Sequence, residues 1–125
     1  MVKIFIVDDD QSLQRLYILI LEEAGFEIID TALNGKVAVD KYRKFIEKPD
    51  IILMDHRMPI KNGLDAMKEI LQINEHEKVI FASADISIKQ SVLSLGALAF
   101  LDKPFNMKRL LDIIKKAVKE VNVKR

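Results

Sequence analysis

Polar side chains with the chemistry of phosphate and metal sites follow four apolar segments of the chain. The segments are residues 2–7, 51–54, 79–82 and 97–101. The polar residues that end or soon follow them are, in chain order, Asp8, Asp9, Asp55, Ser83 and Lys103. If the segments are parallel strands, their carboxyl ends meet at one edge of a sheet. We therefore expect these five side chains to form one small site.

The chemistry of this set favours a phosphoryl group and a divalent cation. Several converging carboxylates repel one another and raise each other's pKa unless a cation lies among them. Ligands that are all oxygen suit Mg²⁺ or Mn²⁺, and Mg²⁺ commonly shares its coordination shell with a phosphate. Lys103 and Ser83 could hold two phosphoryl oxygens, and Asp55 could act as a nucleophile that forms an acyl phosphate.

Alternating strand and helix patterns must position these residues. Five strands are predicted at residues 2–7, 26–32, 51–55, 79–82 and 97–101. Five helices are predicted at residues 11–24, 36–47, 64–73, 87–95 and 106–121. Each crossover is a dozen or more residues long, which favours parallel pairing with right-handed connections. The pattern predicts a doubly wound α/β fold: a five-stranded parallel sheet with helices on both faces, and the second strand at an edge.

The periodicity of the helices predicts which faces are buried. In the first helix, Asp10 is expected to be the N-cap, and Gly25 stands where a helix stop belongs. The residues expected inward are Leu13, Leu16, Tyr17, Ile20 and Ala24. Ile18 and Leu19 fall beside charged residues, away from this stripe. In the last helix, the inward residues are expected to be Met107, Leu110, Leu111, Ile114, Val118 and Val121.

Composition excludes several classes of protein. The 125 residues are of single-domain size, and the net charge of +1 does not indicate a nucleic-acid partner. The absence of cysteine excludes disulfides and thiolate chemistry. The N-terminus lacks the pattern of an ordinary signal peptide, and no apolar segment reaches the length of a membrane span. We expect a cytoplasmic protein with no membrane partner.

The motifs match a known family along essentially the whole chain. The matching pieces are residues 6–10 (Ile-Val-Asp-Asp-Asp), Met54-Asp55, Met58-Pro59, Asn62-Gly63, Ser83-Ala84 and residues 100–105 (Phe-Leu-Asp-Lys-Pro-Phe). In this order and at these spacings they resemble the receiver domain of two-component response regulators. Each piece is common by itself, but together they are a specific signal. The resemblance implies a single receiver domain at residues 1–125, and we expect no effector domain after Arg125.

The resemblance also implies a sheet order and a metal site. The expected order is 2-1-3-4-5, the flavodoxin-like arrangement. A histidine kinase or a histidine phosphotransfer protein would phosphorylate Asp55. Asp9, Asp55 and the backbone carbonyl of Arg57 would bind Mg²⁺ directly, with Mn²⁺ as a substitute, and Asp8 would act through water.

The response to phosphorylation is implied in the same way. Ser83 and Lys103 would contact the phosphoryl group, and Phe100 would change rotamer when Ser83 moves. The surface of the fourth helix, fifth strand and fifth helix would then change for a downstream protein, and a phosphorylation-dependent dimer is compatible with this scheme. The family pattern also implies a cis Lys103-Pro104 peptide. Ser83 stands where threonine is more usual, and serine lacks the methyl group that restricts the rotamer.

Arg57 and Asp85 lie two residues after Asp55 and Ser83. We expect both to flank the path of the hydrolytic water, where their opposite charges could pair and tune the lifetime of the phosphorylated state. The alternative is two solvated loop charges, because exposed ion pairs contribute little. His56 and His76 are expected to be surface residues rather than metal ligands.

Two other functions remain open. A phosphatase that forms an aspartyl phosphate would need a second acid two residues after the nucleophile, and Arg57 occupies that position. A degenerate receiver that binds partners without phosphorylation would not need all five polar residues. A phosphorylation switch without enzymatic turnover is the favoured interpretation.

Overall fold

A computed structural model of the chain describes the backbone of residues 1–124 and the side chains of residues 1–119. The strands form one parallel sheet in the order β2-β1-β3-β4-β5. They are β1 (Lys3–Val7), β2 (Glu27–Ala32), β3 (Ile51–Met54), β4 (Val79–Ser83) and β5 (Ala99–Asp102). The predicted fold class, sheet order and edge position of the second strand are confirmed.

Helices connect successive strands and cover both faces of the sheet. They are α1 (Gln11–Glu23), α2 (Gly35–Lys44), α3 (Gly63–Ile73), α4 (Lys89–Leu95) and α5 (Met107–Lys124). The fourth helix was predicted from Ser87, but residues Ile86–Ile88 form a 3₁₀ turn, in which the Asp85 carboxylate accepts the Ser87 N–H at 3.1 Å. Among the helices of the described chain, none combines the length and apolarity needed to cross a membrane.

The sheet separates two apolar layers, because successive strand residues point to opposite faces. On one face, Phe5, Ile52 and Phe81 pack with residues of α2, α3 and α4. On the other face, Ile6 and Leu53 pack with residues of α1 and α5. The central strands are therefore buried on both sides, as their uniform apolar sequences indicate.

The buried stripe of α1 differs from the predicted one. The buried residues are Gln14, Tyr17 and Leu21. Leu16 is 41% exposed, so its predicted inward position is wrong, and Ala24 is exposed as well. Leu19 is 64% exposed as expected, whereas Ile18 packs partly against the core. The predicted inward side of α5 is confirmed for Leu110 and Ile114; the Val121 side chain lies outside the described residues.

Candidate functional site

The carboxyl ends of four strands bring the predicted polar residues to one edge of the sheet. Asp8 follows β1 and Asp55 follows β3, and these ends are adjacent because the Asp55 N–H donates to the Val7 carbonyl at 2.9 Å. Ser83 ends β4, and the Lys103 N–H that follows β5 donates to the Ser83 carbonyl at 2.9 Å. Backbone hydrogen bonds thus hold the carboxyl ends of neighbouring strands side by side. The polar side chains at these ends are close together for the same reason.

Three carboxylates form the acidic part of the site. Asp8, Asp9 and Asp55 each offer one oxygen, and these oxygens lie within 4.8 Å of one another. Like charges this close repel unless a cation compensates them. Since all three donors are hard oxygens, the cluster fits Mg²⁺ by its ligand chemistry.

Asp55 combines burial with ionisation. It is 8% exposed, and burial raises the pKa of its carboxyl to about 6, with smaller upward contributions from Asp8 and Asp9. The Lys103 ammonium opposes this shift most strongly, and the His56 N–H, which donates to Oδ1 at 2.8 Å, also opposes it. The carboxylate is therefore predominantly ionised at neutral pH, although it is poorly solvated.

Lys103 is the cation of the site. Its Nζ lies 3.0 Å from Oδ2 of Asp8 and 3.5 Å from Oδ2 of Asp55. The Lys103-Pro104 peptide is cis, as the resemblance implies. Lys103 follows β5, which lies beyond β4 in the sheet, and its ammonium extends past the end of β4 to the ends of β1 and β3.

Asp8 and Asp10 have separate local partners. Asp8 is buried, and its Oδ1 accepts the Asp10 N–H at 2.9 Å while its Oδ2 accepts from Lys103. Both oxygens of Asp8 are therefore engaged by the protein. Asp10 accepts the Leu13 N–H at 3.1 Å, which confirms its predicted role as the N-cap of α1.

Ser83 and Phe100 are both buried. The Ser83 hydroxyl accepts the Asp85 N–H at 3.1 Å. Phe100 lies beside Phe81 in the β4–β5 register, and its ring belongs to the apolar layer under α2, α3 and α4. Their predicted roles as switch residues stay predictions.

Arg57 and Asp85 pair across the mouth of the site. An Arg57 Nη2 atom lies 3.2 Å from Asp85 Oδ2, although the Arg57 side chain is 80% exposed. Both residues line a surface hollow of about 550 Å³ that also includes Asp9 and His56. The predicted pairing is present, and its effect on phosphate lifetime stays a prediction.

The structure corrects the prediction for His56. The residue is only 8% exposed, and its Nδ1 accepts the N–H of Leu64 in α3 at 3.3 Å. Burial lowers the pKa of the imidazole, which favours the neutral form that this acceptor role requires. The expected surface position is wrong because the loop after β3 folds back onto α3. His76 is exposed, as predicted.

Gln14 supports the site but was not predicted. Its buried side-chain amide donates to the backbone carbonyls of Asp8 and Ala32, each at 2.8 Å. It therefore ties the carboxyl ends of β1 and β2 to α1. Its spacing from Tyr17 and Leu21, three and seven residues, is the helical signal that could have revealed its inward position.

Residues 4–115 match the family model described as the response regulator receiver domain. The chemotaxis protein CheY of Thermotoga maritima is 37% identical over 119 residues, which cover 94% of this chain and 98% of that protein. The similarity therefore extends over nearly the full length of both chains.

Two solved structures share the fold and most of the sequence length. One is the CheX–CheY–BeF3–Mg²⁺ complex from Borrelia burgdorferi, with 29% identity, a TM-score of 0.89, and coverage of 94% of this chain and 89% of that chain. The other is TrrA from Thermotoga maritima in complex with Mg²⁺–BeF, with 32% identity, a TM-score of 0.83, and coverage of 94% and 99%.

Proposed function

Since the chain belongs to the family of response regulator receiver domains, we propose that Asp55 accepts a phosphoryl group from a phosphohistidine of a histidine kinase or a histidine phosphotransfer protein. A receiver of this kind is a signalling domain rather than a turnover enzyme. The observation that carries the proposal is the Asp55 carboxylate at the end of β3, next to two further acids and 3.5 Å from the Lys103 ammonium.

The transfer would be a displacement at phosphorus. One carboxylate oxygen of Asp55 attacks, a P–O bond forms, and the P–N bond to the donor imidazole breaks. The imidazole leaves with the bonding electron pair and takes up a proton. With a pKa of about 6, about nine-tenths of Asp55 is ionised at pH 7. Poor solvation of this carboxylate makes it a better nucleophile than an exposed one.

The residues that would hold Mg²⁺ are Asp9, Asp55 and the backbone carbonyl of Arg57, with Asp8 acting through water; Mn²⁺ has the same oxygen preference. The engagement of both Asp8 oxygens by the Asp10 N–H and Lys103 supports an indirect role for Asp8. When bound, the metal would neutralise negative charge on the transferring group. Lys103 would contribute a second positive charge from its position between Asp8 and Asp55.

The output would follow from Ser83 and Phe100. Phosphorylation would draw the Ser83 hydroxyl toward the new phosphoryl oxygens and away from the Asp85 N–H that it now accepts. Phe100 would then repack, and the surface of α4, β5 and α5 would change for a downstream protein or a second copy of the chain. Arg57 and Asp85 would slow hydrolysis by covering the approach of water.

Intact-protein mass spectrometry tests the proposal. The protein is incubated with a small acyl phosphate, with Mg²⁺ or with a chelator. We expect a gain of one phosphoryl group that requires Mg²⁺ and is absent in Asp55→Asn. Asp40→Asn is the matched control, because Asp40 is an exposed aspartate of α2 paired with Lys36. The proposal fails if the unmodified protein gains no mass or if Asp55→Asn is still phosphorylated.

A further inference from the structure

His56 bonds two of the backbone N–H groups that begin α3. The first three residues of a helix have N–H groups without partners inside the helix. In α3 these donors are bonded as follows: Gly63 N to the His56 carbonyl at 2.9 Å, Leu64 N to His56 Nδ1 at 3.3 Å, and Asp65 N to Asn62 Oδ1 at 2.8 Å. Asn62 is the ordinary N-cap. His56, which lies in the loop before α3, supplies the other two acceptors.

The backbone beside His56 is in direct contact with the same helix start. A Cβ added at Gly63 would lie 2.0 Å from the Asp55 carbonyl oxygen and 3.0 Å from the Cα of His56. Only glycine allows the helix to approach this closely. The Asp55-His56 peptide and the first turn of α3 therefore form one packed unit, joined by steric contact and by both His56 acceptors.

This unit lies between the two groups that would bind the metal from this loop. On one side, the His56 N–H donates to the Asp55 carboxylate at 2.8 Å. On the other side, Arg57 is the next residue after His56, and its backbone carbonyl would bind the metal. Any rotation of the His56 backbone would move both groups, so the anchoring of His56 determines how well both are oriented.

We propose that His56 is a positioning residue for the metal and phosphoryl site, acting through its Nδ1 acceptor to hold the loop after β3 on the start of α3. This inference rests on the proposed function. The ring itself need not touch the phosphoryl group. Partners that orient the ligands of a metal typically contribute about 10- to 100-fold to its affinity. A substitution of the His56 side chain can remove the hydrogen bond from the Leu64 N–H to Nδ1, while the bond from the Gly63 N–H to the His56 carbonyl stays.

Three substitutions separate the acceptor from the bulk of the ring. His56→Leu has a similar volume but no acceptor. His56→Asn places an amide oxygen near the position of Nδ1, and His56→Gln carries its amide one carbon further out. His76→Leu is the matched control, because His76 is exposed in the loop before β4, at the opposite end of the sheet. Mg²⁺ affinity is measured by calorimetric titration, and hydrogen exchange of the Leu64 amide by NMR.

We expect His56→Leu and His56→Gln to weaken Mg²⁺ binding about tenfold and to speed Leu64 exchange, with His56→Asn within about threefold of the unmodified protein. Thermal unfolding, measured with a chelator present so that Mg²⁺ does not contribute, identifies any variant that does not fold. If His56→Leu does not fold, the Mg²⁺ affinities of His56→Asn and His56→Gln are compared with each other. Equal Mg²⁺ affinities for all variants would overturn the role of His56, as would equal losses for Asn and Gln. Failure of the proposed function gives a different result, because the unmodified protein would then gain no phosphoryl mass from the acyl phosphate and Mg²⁺.

Discussion

Replacing Glu77 with glutamine is expected to flatten the pH dependence of stability. Glu77 lies just before β4, at the end of the sheet opposite Asp55, and is 5% exposed. Its Oε1 accepts the Tyr42 hydroxyl at 2.7 Å, and its Oε2 accepts the Lys78 N–H at 3.0 Å. Burial raises the pKa of its carboxyl to about 7, although these hydrogen bonds and the charges of Lys48 and Lys78 act in the opposite direction.

The sign follows from proton linkage. The folded-state pKa of about 7 is above the reference value of 4.5, so the folded protein binds the proton more tightly. The resulting stability is complete below pH 4.5 and is lost as the pH rises through 7. Linkage between these two pKa values gives a loss of about 2 to 3 kcal/mol from pH 5 to pH 8. That is a large share of the stability of a small domain.

The assay is urea unfolding at pH 5 and pH 8 in an Asp55→Asn background. This background is needed because the Asp55 pKa of about 6 gives a slope of the same sign. All other titratable groups are common to both proteins, and the loss of one of the two acceptors that face the Tyr42 hydroxyl and the Lys78 N–H costs the same at both pH values. The difference between the two pH values therefore isolates the titration of Glu77.

We expect the protein with Glu77 to lose about 2 to 3 kcal/mol more than the Glu77→Gln protein between pH 5 and pH 8. Glu75→Gln is the matched control, because Glu75 is an exposed carboxylate two residues away, and its slope should match that of the background. Parallel pH profiles with and without Glu77 would refute the reasoning, since they would mean that Glu77 has an ordinary pKa in the folded protein.

Three further predictions concern the site. Gly63→Ala should destabilise the protein by about 1 to 3 kcal/mol and weaken Mg²⁺ binding, since its Cβ would lie 2.0 Å from the Asp55 carbonyl; urea unfolding and calorimetric titration measure the two effects. Gln14→Leu should cost about 2 to 3 kcal/mol, because two buried strand-end carbonyls lose their bonds to the amide; unchanged urea unfolding would contradict this. Arg57→Ala combined with Asp85→Ala should speed loss of the phosphoryl group severalfold by uncovering the path of water, which is measured by following the phosphorylated mass after removal of the donor.

The sheet and the main polar residues could be predicted because one physical rule governs both. A buried parallel strand is apolar on both faces, and the change to a polar residue marks its end. Asp55 and Ser83 each stand at such a change. Once the strands are parallel, their ends must adjoin, and no long-range information is needed to group these side chains.

The misplaced residues depend on interactions that local sequence does not encode. Leu16 was predicted inward from apolar periodicity, yet the inward stripe includes Gln14, because two backbone carbonyls at the ends of β1 and β2 need a donor. His56 was predicted at the surface from its position in a loop. Its burial depends on a bond to Leu64, eight residues away, and on the close approach of Gly63. Such contacts appear only after α3 has docked.

The adjacent acids Asp8 and Asp9 illustrate how backbone geometry divides roles within one motif. Both residues follow the end of β1 and offer an oxygen to the acidic cluster, but they differ in burial and in partners. Asp8 is buried, and its two oxygens are taken by the Asp10 N–H and Lys103, whereas Asp9 is exposed at the hollow that includes Arg57. Removing the Asp8 carboxylate would leave the partly buried ammonium of Lys103 with Asp55 as its anionic neighbour at 3.5 Å. Asp8 therefore holds Lys103 from the β1 side, so that the ammonium lies nearer to Asp8, at 3.0 Å, than to Asp55, at 3.5 Å.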